Sequence, residues 1–107
     1  QSQGIAGVLS QYGVHSLEDL RKLHADLRIQ LLNDPALASA RASDPKGTIH
    51  LLRGPDGSYQ ASLSNGKNIT FTPGSEVARK AEALHHLSTF LGQGISTDRP
   101  GAIVLAP

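Results

Sequence analysis

Residues 47–91 alternate short period-two runs with glycine turns and then pass into a helical repeat, an order that leaves few folds open. The runs TIHLLR, SYQASLS and ITFT are separated by Gly54-Pro55-Asp56-Gly57 and by Asn65-Gly66. Asn-Gly between alternating segments is the mark of a two-residue type I′ hairpin, and Gly-Pro-Asp-Gly is turn chemistry of another kind. The stretch therefore reads as a three-stranded antiparallel meander. Ile49 and Leu51, then Tyr59, Ala61 and Leu63, then Ile69 and Phe71 fall on one face. The opposite face carries His50, Gln60, Ser62, Ser64, Thr70 and Thr72, with Leu52 as its one apolar member. Such alternation predicts a sheet covered on one side only.

The cover is supplied directly downstream. Pro73-Gly74-Ser75 opens a helix in which Val77, Ala81, Leu84, Leu87 and Leu91 recur at three- and four-residue intervals, the stripe a sheet needs as a lid. Ser75 is its expected N-cap. Gly92 and Gly94 end it, Asp98-Arg99-Pro100-Gly101 makes a turn, and residues 102–105 read as a fourth strand at a sheet edge.

Upstream the period changes to 3.6. Residues 4–12 place Ile5, Val8, Leu9 and Tyr12 at helical spacing, with Gly13 as a left-handed stop. Ser16 then caps a second helix with Glu18 and Asp19 in its first turn, and Leu17, Leu20, His24, Leu27 and Leu31 run down one face. Asn33-Asp34-Pro35 stops it. The next residues are equally compatible with a short Ala-rich helix over 36–42 and with a flexible connection over 33–47. The expected class is α+β: N-terminal helices, an antiparallel meander of three to four strands, and a long C-terminal amphipathic helix packed on one sheet face. One domain over 1–107 is expected, with a helical part at 4–42 and a sheet-helix part at 47–105. A 107-residue chain suffices for a single core. With two Phe, two Tyr and no Trp, that core must be aliphatic.

Composition excludes more than it assigns. There is no Cys, which removes disulfides, thiolate catalysis and cysteine zinc sites. Residues 1–46 carry five basic and five acidic groups and the remainder five and four, so no basic stripe marks a phosphate-binding surface. Folding could still gather Arg53, Lys67, Arg79 and Lys80 as basic contacts. No apolar run reaches the roughly 18 residues of a membrane span. The chain starts at Gln1 and contains no Met, which points to a domain cut from a longer protein or a processed product. Cytoplasmic and secreted locations both stay open.

Five histidines are the natural place to look for chemistry. His85 and His86 are adjacent, so on a helix they point about 100° apart and cannot share a metal. No HExxH occurs, His24 lies on an apolar stripe where a hydrogen-bonded core role is expected, and alternation sets His50 on the opposite side of the sheet from the helix histidines. Gly92-Gln93-Gly94 follows a helix, whereas a dinucleotide loop follows a strand. No GxSxG elbow is present, and the carboxylates show no distinctive pairing. Catalytic residues, a metal site and a cofactor are accordingly not expected.

Gly54-Pro55-Asp56 in the first hairpin, Asn65-Gly66-Lys67 in the second, and an Ala-rich helix with Arg79 and Lys80 resemble the double-stranded-RNA-binding domain, over about 45 residues in helix, meander, helix order. That resemblance implies contacts to phosphates across a groove. The family places lysines at the start of its last helix, where this chain has Glu76 and Val77. The leading expectation is instead a non-catalytic protein-interaction or adaptor domain of a larger bacterial protein. It would make contact through the open sheet face at His50, Leu52, Gln60, Ser62 and Thr70, and through any unpaired strand edge. Nucleic-acid binding, a segment of a secreted effector or toxin, and a small hydrolase or transferase with His85 or His86 as base are the alternatives.

Overall fold

The computed structural model describes residues 13–43, 47–64, 66–96 and 102–105. The helix expected over 4–12 and the turn at Asp98-Arg99-Pro100-Gly101 lie outside the described residues. Strands β1 (Ile49–Arg53), β2 (Tyr59–Leu63), β3 (Asn68–Thr70) and β4 (Ile103–Leu105) form one antiparallel sheet in the order β3-β2-β1-β4. Helices α1 (Leu17–Leu32) and α2 (Pro35–Ser43) precede the sheet, and α3 (Glu76–Leu91) lies between β3 and β4. The α+β class with a four-stranded antiparallel sheet is therefore observed. The last helix fills the span between the expected Ser75 cap and Gly92 stop, 16 residues or about 24 Å, and a strand follows it.

Caps set the helix limits. Ser16 Oγ accepts from Asp19 N at 3.1 Å while Asp19 Oδ2 accepts from His15 N at 3.3 Å, which together tie down the start of α1. At its end Arg41, on α2, donates to Leu32 O at 2.8 Å. Asp34 Oδ1 accepts from Ala36 N at 2.9 Å at the start of α2. That helix is ordered structure rather than a loose connection, because Leu37 is fully buried in the core. Ser75 caps α3 as expected, accepting from Ala78 N, and Gly92 ends it at φ +68°.

Register puts Ile49, Leu51, Tyr59, Ala61, Leu63, Ile69, Ile103 and Leu105 on the face that meets the helices. Leu20, Leu27 and Leu31 of α1 and Ala81, Leu84 and Leu87 of α3 complete one core. Within it His24 Nε2 and Ser88 Oγ meet at 2.9 Å between α1 and α3. Burial, then the charge of Arg28, lowers the His24 pKa, which disfavours protonation of the ring. Two expected stripes shift slightly. Leu17 is 52% exposed, and α3 buries Ala78, Ala83 and Ser88 while Val77 and Leu91 are only half-buried.

The second hairpin departs from the two-residue expectation. Ser62 pairs with Asn68 and Leu63 N donates to Lys67 O at 2.8 Å, a register one residue removed from the one a two-residue turn at Asn65-Gly66 would give, and Asn65 itself lies outside the described residues. Gly66 takes φ +91°, a left-handed conformation that favours glycine. The reason lies in the faces. A two-residue turn would set Ile69 opposite Ser62, on the open side, whereas the observed register sets it opposite Ala61 on the core side.

Candidate functional site

Two arrangements could carry function, one on each side of the sheet. On the helix side, alternation from Ile49 and Leu51 carries Arg53 inward at the end of β1, beside its partner Tyr59. There the Arg53 guanidinium lies 3.5 Å from Glu82 Oε2, and one turn on along α3 His86 Nε2 meets the same oxygen at 2.8 Å. His85 stacks edge-on against Tyr59 at 6.2 Å and against His86 at 5.7 Å. Burial alone would raise the Glu82 carboxyl, but Tyr59, His86 and Arg53 outweigh it and hold the pKa below the usual carboxylate range. Burial and then Glu82 push the Tyr59 phenol well above its ordinary value. Its hydroxyl is buried and faces Glu82 and Arg53 without meeting hydrogen-bond geometry to either. Burial, then the charges of His86 and Arg53, lower His85, whose Nδ1 is also buried and unpartnered.

This cluster contains a base, but its geometry is that of a clasp. Glu82 Oε2 is shared by the Arg53 guanidinium and the His86 ring, and the tyrosine is made less acidic, the opposite of an activated nucleophile. A cavity of about 220 Å³ opens beside Tyr59 and Glu82, bounded by Asp56, Ser58, Gly74 and Arg79. No group of three or more His, Asp or Glu among the described residues is arranged to hold a metal ion. Sequence reasoning placed Tyr59 on the covered face and treated Arg53 as a free basic contact. The parity of Arg53 with Leu51 and the four-residue spacing of Glu82 and His86 were the signals that could have joined them.

On the other side all five residues of the expected surface come together. Register across the sheet arranges them in two rows: His50, Ser62 and Asn68 in one, with Val104 beyond His50, and Leu52, Gln60 and Thr70 in the other. Leu52 and His50 are half-buried, Gln60 and Thr70 exposed, and Ser62 buried at the floor between its neighbours. A recess of about 400 Å³ runs along the first row, lined by Thr48, His50, Ser62, Ser64, Gly66 and Asn68. The four basic residues are distributed differently. Arg53 and Lys80 are paired with Glu82 and Glu76, at 3.5 and 3.6 Å, Arg79 borders the cavity beside Glu82, and Lys67 sits in the β2–β3 connection.

A third feature is apolar. Val14, Leu17, Leu20 and Phe90 line a groove of about 310 Å³ between the start of α1 and the end of α3, and Leu17 and Phe90 are more than half exposed. No helix among the described residues is long and apolar enough to cross a membrane. Comparison with protein-family models, with curated proteins and with solved structures finds no match to this chain.

Proposed function

We propose that the chain is a protein-interaction module, part of a larger bacterial protein, whose contact surface is the face of the sheet opposite the helices. The observation that supports this reading most directly is that, among the described residues, α1 and α3 pack against one face of the sheet, while the other carries two ordered rows of mainly polar side chains around a half-buried leucine. A mixed polar and apolar surface of that kind suits a reversible contact. The helix-side cluster is the weaker candidate as a catalytic centre, since Arg53 and His86 both engage Oε2 of its carboxylate and its phenol is made less acidic. Nucleic-acid binding is less favoured, because two of the four basic side chains it would recruit are already paired with carboxylates.

Site-specific photocrosslinking in the host cell tests the proposal. A photoreactive residue at Gln60 or Thr70 is expected to trap a discrete protein partner, and one at exposed Arg21 on α1 is expected to trap none. Equal adducts from all three positions, or none from the sheet positions, would refute the assignment.

A further inference from the structure

We infer that the partner is held by strand addition: an extended segment of another protein pairs with the outer edge of β3. The inference rests on the proposed interaction role and names the edge and the partner's chemistry. The two edges of the sheet are treated differently. At β4 the outer edge is already met, because Val104 N donates to Gly94 O at 2.7 Å, Ser96 N donates to Ala102 O at 2.9 Å, and Ile95 bridges Ile103. At β3 no described segment pairs on the outer side.

The orientation of the β3 backbone is set by its ladder. Phe71 N donates to Tyr59 O and Leu63 N donates to Lys67 O, so hydrogen-bonded pairs fall at 59 with 71, 61 with 69, and 63 with 67. Asn68 and Thr70 occupy the intervening positions. Their N–H and C=O groups therefore point away from β2, a short template of two donors and two acceptors that another extended backbone satisfies. No proline, bulge or inward-facing charge within β3 blunts it, and its protection is its length of three residues. That length favours a short segment bound reversibly.

Side chains define the segment further. The position opposite Ile69 would face the helix side, where Ile69 and Val77 are half-buried against the core, so an apolar residue extends the existing cover there. The positions opposite Asn68 and Thr70 would face the open side. The recess along His50, Ser62 and Asn68 is mainly polar, with Leu63 its one apolar lining side chain and no carboxylate among its lining residues, and it suits a polar or acidic side chain. The partner is thus an extended stretch reading polar or acidic, apolar, polar.

The test uses the full chain and a displayed library of random heptapeptides as the probe. Selected peptides are expected to share that alternation and to protect the Asn68 and Thr70 amides from hydrogen exchange. Thr70→Pro removes the outward N–H and leaves the Ile69 pairing to β2 intact, so it should weaken binding roughly tenfold or more. Thr70→Val keeps the N–H and loses only the hydroxyl, so it should weaken binding clearly less than Thr70→Pro. If Thr70→Pro fails to fold, amide protection in the unaltered protein still decides. Peptides that shift Leu52 and Gln60 without protecting either edge amide would overturn strand addition and leave the open-face reading standing. Protection that rises with protein concentration in the absence of peptide would mean that a second copy takes the edge, which also overturns it. Selection of no binders would overturn both.

Discussion

His85 and Glu82 show how the helix-side cluster depends on protonation. His85 is surrounded by Tyr59 from β2, Arg53 from β1, and His86 and Glu82 from its own helix. Burial and the neighbouring cations hold its pKa below 6.5, and His24 is lowered for a similar reason by burial and Arg28. Below pH 6.5 the unfolded chain therefore takes up protons that the folded chain resists, and linkage makes stability fall as the pH drops through that window. Glu82 acts in the same direction at lower pH. Its carboxyl is held below 4.5 when folded, so its contribution is present above that value and is lost as the pH falls further. Urea midpoints measured from pH 7.5 to 4 should decline, with the first part of the decline beginning near 6.5. His85→Gln and His24→Gln should each flatten that part, and an unchanged slope in both variants would rule out the two rings as its source. The Arg53–Glu82 pair should matter less, since its side chains are 45% and 37% exposed and such pairs are worth about 0–1 kcal/mol.

At the level of elements, the order from β1 to β4, the caps at Ser16 and Ser75 and the stop at Gly92 were legible because each rests on local chemistry. Ser75 illustrates this: one side chain accepts from Ala78 N and donates to Thr72 O at 2.6 Å, so the turn and the helix start are fixed together. What was not legible depends on partners distant in the chain. The β2–β3 loop length was decided by the faces of Ile69 and Phe71 against Ala61 and Tyr59 rather than by Asn65-Gly66 itself. The burial of Ala78, Ala83 and Ser88 was hidden because small side chains carry little hydropathy, yet they let α3 approach its neighbours closely. The five open-face residues could be read from alternation alone, whereas the Arg53, Glu82 and His86 cluster required knowing which end of α3 lies over β1. Gly92 offers a clean test of a local assignment. It sits at φ +68°, and an added Cβ would meet nothing within 4 Å, so any penalty is conformational rather than steric contact. Gly92→Ala should lower stability by about 1 kcal/mol and Gly92→Asn by less. A neutral Gly92→Ala in thermal unfolding would mean that the helix end relaxes into another conformation.

Across the whole molecule, the division into a helical part and a sheet-helix part visible in the sequence does not correspond to two cores. Leu20, Leu27 and Leu31 of α1 belong to the same buried cluster as Ile49 and Leu51 of β1 and Leu84 and Leu87 of α3, and the His24–Ser88 hydrogen bond crosses the same layer. Separating the parts would expose the inner stripe of α1 and one flank of α3 at once, at a cost on the order of 25 cal/mol for each Å² of apolar surface. The chain should therefore unfold as one cooperative unit. The two tyrosines allow this to be read directly. In a Tyr12→Phe background the emission reports Tyr59 alone, at the β2–α3 contact, while far-ultraviolet circular dichroism reports all the helices. The two signals should share one midpoint. Leu27→Ala, a change on α1, should shift both together by the roughly 2–5 kcal/mol typical of a buried leucine. A Tyr59 transition that keeps its midpoint while the dichroism signal moves would show that the sheet and α3 fold without α1, and would make the helical part a separate unit.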